Sequence, residues 1–349
     1  MKFKSLVLLL TVISITIVFS GCGGNETQQV DNSESPAVSA NIDNKIDPIK
    51  LNFADITTTG SFFNQQTVYF AEKVSELSEG KMEIDVFADS ILGSETTMLT
   101  NIQSGGLQMG AFASAFQTMV PKAALFDLPY LISDRSQLQT LIDGGIFDEI
   151  ADQAEEVNIK IIGLGENGFR HITNNIRPIV VPEDLNGVVI RTPSSELRVK
   201  TFETLGASAV SLAWSEVYSA LETGVCDGQE NPFSQIGGGQ LYNVQKYLSL
   251  SGHIYGPFYY CINLDLYNNL TDAQKNVLEE AAMQAMHYGW EKGAEFDAEQ
   301  LQICEDKGME INEVNNEEFR NKLLPLWDNY ADVAGGAEFV NKAKTVLGY

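Results

Sequence analysis

The chain has 349 residues, enough for two domains of ordinary size, and 44% apolar with 9% aromatic residues can fill their cores. With 47 acidic against 22 basic residues the net charge is −25, which excludes nucleic acid and anionic lipid surfaces as electrostatic partners. Only 4 cysteines in this length exclude a disulfide framework.

Lys2 and Lys4 precede an apolar run over 6–19, shorter than the ~20 residues a membrane span needs, and Ser20-Gly21-Cys22 comes next. This order predicts an export signal over 1–21. The small residues before Cys22 resemble the lipobox of bacterial lipoproteins, although Phe19 replaces the more usual Leu. The tract to Asp47 is poor in aromatics and rich in Ser, Asn, Asp and Gln, so it cannot bury enough surface to fold. Residues 22–48 are therefore expected as a flexible tether on a lipid-anchored Cys22. With that thiol acylated, Cys226, Cys261 and Cys304 allow at most one disulfide.

The body alternates strands with helices. Ile49, Leu51 and Phe53 alternate as a strand, and Val68, Ala71, Val74 and Leu77 mark a helix face ending at Gly80. Met82, Ile84 and Val86 alternate again, then a helix around Met98, Leu99 and Ile102 stops at Gly105-Gly106. Runs over 159–164 and 188–190 read as buried strands, and 195–205 as a helix between a serine start and Gly206. Thr271-Asp272-Ala273-Gln274 is a capping box, and helical spacing without proline continues to Asp306. A helix of that length spans about 50 Å, more than one small domain, so it is expected to brace two lobes. The order is α/β, with ligands expected beyond the carboxyl ends of the strands. No repeat and no Pro- or Gly-rich linker separates the lobes, so the chain is expected to cross between them more than once.

Arginine placement is the strongest chemical signal. Of the arginines, Arg170, Arg177, Arg191 and Arg198 fall close together, and only Arg135 and Arg320 lie elsewhere. A guanidinium meets a carboxylate with two parallel hydrogen bonds, which a lysine cannot reproduce. Arg191 ends the run Val188-Val189-Ile190, which suits either a ligand contact or a surface ion pair. Arg198 lies inside a helix and is expected to face solvent. Trp214 suits a core position or a ligand wall, and Asn231 before Pro232 a turn or an amide contact.

Gly163-Leu164-Gly165-Glu166-Asn167-Gly168 fits the dinucleotide pattern G-x-G-x-x-G. The next residues, Phe169-Arg170-His171-Ile172-Thr173-Asn174-Asn175 with Pro178 and Pro182 close behind, read as extended chain, where a nucleotide fold needs a helix. His171, His253 and His287 sit in no H-E-x-x-H, and no G-x-S-x-G elbow is present. The chain is read as a binding protein and not an enzyme, with no cofactor, metal or nucleic acid implied. A secreted enzyme using Glu95 and a second carboxylate on acidic sugars is the catalytic alternative.

Asn167-Gly168-Phe169-Arg170, Pro182-Glu183-Asp184-Leu185-Asn186-Gly187, Ile190-Arg191-Thr192-Pro193, Ser215-Glu216-Val217-Tyr218-Ser219-Ala220-Leu221 and Asp227-Gly228-Gln229-Glu230-Asn231-Pro232 together resemble the solute-binding proteins of tripartite ATP-independent periplasmic (TRAP) transporters, the dicarboxylate- and sialate-binding family. Leu92-Gly93, Leu128-Pro129-Tyr130, Val244-Gln245-Lys246-Tyr247 and Ser251-Gly252-His253 extend the resemblance over nearly the whole body. It implies an α/β, two-lobed periplasmic-binding-protein-like fold, with a ligand cleft between the lobes and a long helix bracing both. The expected boundaries are lobe I over 49–167 plus 257–296 and lobe II over 168–256 plus 297–349.

The same resemblance gives Arg191 the ligand carboxylate, Arg170 a second contact, Asn231 a hydrogen bond at that end and Trp214 an aromatic wall. Glu95, Ser90, Ser194 and His253 match positions lining the pocket or its water network in sialate-type members. Ser194 and Trp214 depart from the Asn and Phe found there, which argues against sialate itself. The partners implied are a small organic acid, TRAP membrane permease subunits, and the membrane through the lipid anchor only. A sensory module presenting its liganded form to a membrane kinase is the alternative that the residues leave open.

Overall fold

The computed structural model describes residues 46–349; the expected signal, Cys22 and most of the tether lie outside the described residues. In chain order come β1 (Ile49–Ala54), α1 (Phe62–Leu77), β2 (Met82–Phe87), α2 (Glu95–Gln103), β3 (Met109–Phe112), α3 (Ser136–Asp143) and α4 (Ile146–Glu156). The long β4 (Ile159–Asn174) is next, then β5 (Val189–Thr192), α5 (Glu196–Leu205), β6 (Ser208–Ser211), α6 (Trp214–Glu222), β7 (Gly228–Pro232) and the single turn α7 (Phe233–Ile236). The chain continues through β8 (Tyr247–Leu250), β9 (Tyr255–Asn263), α8 (Leu264–Asn269), α9 (Asp272–Asp306), β10 (Glu310–Glu313), α10 (Asn316–Leu323), α11 (Leu326–Asn329) and α12 (Ala337–Leu347).

Two sheets share one strand. The first has the order β2-β1-β3-β9-β4, and the second runs from β4 through β7 and β5 to β6. β4 serves both because its first part pairs antiparallel with β9, while Arg170 to Asn174 pair with β7. Register shifts at Ile161/Gly163 and Glu166/Gly168 bend it between the two. Parallel pairs β1/β3 and β5/β7 point their carboxyl ends into the space between the sheets.

The glycine-rich stretch expected as extended chain lies within β4. A Cβ at Gly163 would stand 2.6 Å from Ala282 Cβ on α9, and Gly168 has φ +101° at the second register shift. These glycines serve close helix–strand packing and a bend.

α9 has 35 residues and its Thr271 hydroxyl accepts from Gln274 N, as the capping box required. Leu278, Ala281, Ala282 and Ala285 bury in the first-sheet core with Phe53 and Phe258, and Cys304 buries with Leu248 of β8. One helix therefore braces both lobes. None of the helices among the described residues is long and apolar enough to cross a membrane.

One local expectation changes. On α1 the buried stripe is Phe63, Phe70 and Val74, whereas Val68 is exposed. Two residues turn a helix about 200°, so Phe70 facing the sheet sends Val68 to solvent. Within 297–349, Phe319 and Leu323 of α10 pack with Ile172 and Ile190, and Phe339, Val340 and Ala343 of α12 pack with Leu138 and Ile146. Cys226, Cys261 and Cys304 are separate, buried free thiols.

Candidate functional site

A cleft with about 620 Å³ of empty space, its open mouth included, lies where the strand tips converge. Each wall is the loop at the end of a strand. Ile56 and Thr57 come after β1, Ala113, Ser114 and Ala115 after β3, Pro193 and Ser194 after β5, and Leu212 and Ala213 lead from β6 into Trp214. This is the crevice beyond the carboxyl ends that open α/β sheets offer to ligands.

The structure brings Arg191, Arg170, Asn231, Trp214, Glu95 and Ser194 together around this one cleft. Arg191, at the end of β5, is 2% exposed. Its Nε and Nη2 donate to Leu212 O at 3.0 and 2.6 Å, which fixes the guanidinium plane. No carboxylate among the described residues forms an ion pair with it. Burial is the main reason its pKa falls to about 9; Glu230 opposes that fall, and the fields of Arg170 and Arg198 add to it.

Arg170 and Arg198 are compensated where Arg191 is not. Arg170 Nε donates to Glu230 Oε2 at 2.5 Å and its Nη2 to Glu230 Oε1 at 2.9 Å and Asn231 Oδ1 at 2.8 Å. Asn231 thus orients Arg170. Arg198 Nη1 donates to Glu230 Oε1 at 3.0 Å and its Nη2 to Asp127 Oδ1 at 2.5 Å. Burial opposes ionisation of Glu230, yet Arg170 and Arg198 hold its carboxyl well below the usual range.

Arg198 corrects the sequence reading: it is 3% exposed, not solvent-facing. The α5 face that carries it also carries Leu197 and Thr201, both buried, so the helix turns the arginine inward against Glu230 and Asp127. The result joins the two lobes. Asp127 Oδ2 also accepts from Ser195 Oγ at 2.6 Å and from Gln117 Nε2 at 2.6 Å, linking the loops after β3 to the start of α5.

His253 and Ser90 do not line the cleft. His253 is fully buried behind the arginines; its Nδ1 is 2.7 Å from Ser251 Oγ, and its Nε2 is 3.3 Å from Glu230 Oε2 without hydrogen-bond alignment. Burial lowers its pKa despite Glu230, so the ring is a neutral support. Ser90 has φ +56° and its Oγ donates to Ile56 O at 2.9 Å, bracing the loop that supplies Ile56 and Thr57. Trp214 packs with Val217 and Leu221 and also lines the cleft.

Sequence reasoning did not single out Asp127, Gln235 or Thr57, took Ser195 only as a helix start, and quoted Glu230 only as a motif member. One signal was available for Glu230. Closely spaced arginines in a folded core require counter-ions, and Glu230 is the acid beside Asn231.

Among curated proteins, the 2,3-diketo-L-gulonate-binding periplasmic protein YiaO of Escherichia coli is 30% identical over 243 residues, covering 69% of this chain and 74% of its own length. The sugar acid binding protein DctPAm of Advenella mimigardefordensis, solved with galactonate, superposes with a TM-score of 0.82 at 28% identity, covering 86% of this chain and all of its own. A TRAP solute-binding protein of Sulfurospirillum deleyianum, solved with succinate, gives a TM-score of 0.81 at 25% identity over 86% of this chain and all of its own. These relatives are solute-binding proteins, not enzymes. A family model, described as bacterial extracellular solute-binding protein, family 7, matches residues 53–332. With two lobes sharing β4, a bracing helix and that match spanning most of the body, this chain belongs to the family 7 extracellular solute-binding proteins, the receptors of TRAP transporters.

Proposed function

We propose that this receptor binds a small organic acid of the sugar-acid or C4-dicarboxylate kind through Arg191 and delivers it to a TRAP membrane permease. One observation carries the reading: Arg191 is a buried guanidinium that no carboxylate among the described residues pairs with. Burying an unpaired charge is costly, and an anionic ligand is what removes the cost. Arg170, held by Glu230 and Asn231 through Nε and Nη2, also lines the cleft, where its Nη1 group has no hydrogen bond to the described residues and would make a second contact. Groups from lobe I, Glu95 and Thr57, face those of lobe II across the cleft. A ligand touching both sides therefore binds the closed arrangement better and favours closure.

A thermal-shift screen of aldonates, uronates, dicarboxylates and 2-keto acids against their amides tests this, because a ligand that binds only the folded form raises its melting temperature. At least one acid should raise it while the corresponding amide does not. A shift with amides alone, or with no acid, would overturn the reading. Delivery is tested with reconstituted permease subunits, which should take up that acid only when the receptor is present.

Membrane attachment through Cys22 rests on the small residues before it and the polar tract after it. Mass spectrometry of the mature protein should find an acylated N-terminal cysteine. An unmodified, freely released chain would refute the anchor.

A further inference from the structure

We propose that the first turn of α5, Ser195 to Arg198, is a clasp that the second lobe sets into the first as the receptor closes, so that Asp127 fixes how firmly a ligand is held without touching it. This role for Asp127 rests on the organic-acid reading of the cleft. α5 is a divided helix. Its Phe202 and Leu205 bury with Ile172 and Ile190 of the second sheet, whereas Leu197 buries in the core that holds Phe112, Phe116 and Phe126. The first turn thus leaves its own lobe. Polar groups fasten it where it lands: Asp127, 4% exposed, accepts from Arg198 Nη2 at 2.5 Å on one carboxylate oxygen and from Ser195 Oγ at 2.6 Å on the other. Gln117 Nε2 donates to that second oxygen at 2.6 Å and holds the carboxylate on the first-lobe side. Ser195 Oγ also accepts from Arg198 N at 3.2 Å as the helix cap, so clasp and helix start are one unit.

The clasp shares both of its loops with the cleft. Pro193 and Ser194 line the cleft just before Ser195, and Ser114 lines it just before Gln117, while Gln117, Asp127, Ser195 and Arg198 themselves stand outside the lining. A ligand that draws these loops together and the clasp that engages between them therefore share one movement, and each favours the other by the same free energy. The bonds of the clasp join protein to protein, so their contribution is the same whichever acid fills the cleft. They must break before the cleft reopens, which places their effect on ligand release and not on encounter.

The test measures affinity by calorimetry and release by stopped-flow tryptophan fluorescence, Trp214 lying in the cleft wall. The probes are one acid of each class: galactonate, glucuronate, succinate and 2-ketogluconate. Asp127→Asn keeps the shape of the side chain, and Arg198 retains Glu230 as its counter-ion, so the variant should fold; its ligand-free melting temperature reports whether it does. Every acid that binds the unmodified protein should lose affinity by a common factor of at least about tenfold, mainly through faster release. Ser195→Ala, the milder change, should speed release in the same direction by about threefold. A purely structural role for Asp127 would lower the melting temperature and leave release from the folded protein unchanged. Unchanged release in both variants would overturn the clasp, and so would a loss that differs from acid to acid, because only a group touching the ligand discriminates; either result leaves the organic-acid reading standing. Binding of none of these acids by the unmodified protein would overturn that reading and the clasp with it.

Discussion

Replacing Arg191 by lysine is expected to weaken acid binding at least about tenfold although the charge is kept, because the bidentate fork is lost. The guanidinium donates Nε–H and one Nη2–H to Leu212 O, which anchors its plane and leaves the Nη1 group and the second Nη2–H as a fork that a carboxylate could meet. A lysine ammonium has no plane to anchor, and serving both Leu212 O and a carboxylate from the tip of a flexible stem costs it orientation. Replacement by methionine removes the charge as well. Two charge-assisted hydrogen bonds contribute about 1.5–3 kcal/mol each, so the loss then reaches a hundredfold or more. The ligand-free protein should keep its melting temperature nearly unchanged, since the lost bond to Leu212 O is offset by removal of an uncompensated buried charge. Titration calorimetry and melting curves measure the two separately. An unchanged affinity for the acid in the lysine variant would rule out the carboxylate seat.

Glu230→Gln is expected to have the largest effect on stability. Glu230 is fully buried and neutralises Arg170 and Arg198 together. Removing one partner of such a cluster leaves uncompensated charge in the interior, at a cost of about 3–5 kcal/mol. The pH dependence has a definite sign. The folded-state pKa of Glu230 lies well below 4.5, held there against burial by Arg170 and Arg198. Its contribution is therefore complete above the unfolded pKa of about 4.3 and is lost as pH falls through the lower folded value. In the glutamine variant that component is absent, so its stability should be lower at neutral pH and fall less steeply below about pH 4.3. Urea titrations of both proteins between neutral and acid pH measure this. Coincident midpoints at neutral pH would show that the cluster contributes nothing.

The elements that position the site could be read from local chemistry. Thr271 and Gln274 announce the start of α9, Ser195 and Gly206 bracket α5, and the apolar run before Arg191 places it at a strand end, because caps and hydrophobic periods act over a few residues. The face of α1 was misjudged from the same kind of signal. Val68 and Phe70 both lie in an apolar run, and which of them is buried depends on where the sheet sits.

The arginines mark the boundary between the two sources of information. Residue order alone does not say which of Arg170, Arg191 and Arg198 is neutralised, and it pointed Arg198 outward. Their difference arises from carboxylates far away in the chain: Glu230 is 60 residues from Arg170 and 32 from Arg198, and Asp127 is 71 from Arg198. Local spacing cannot encode which charges are neutralised, because Coulomb attraction depends on separation in space and on burial, both set only when the lobes pack. Chain order was enough for the family, the α/β architecture and the positions of the strand tips; packing decided that Glu230 and Asp127 neutralise Arg170 and Arg198, while Arg191 is paired with no carboxylate among the described residues.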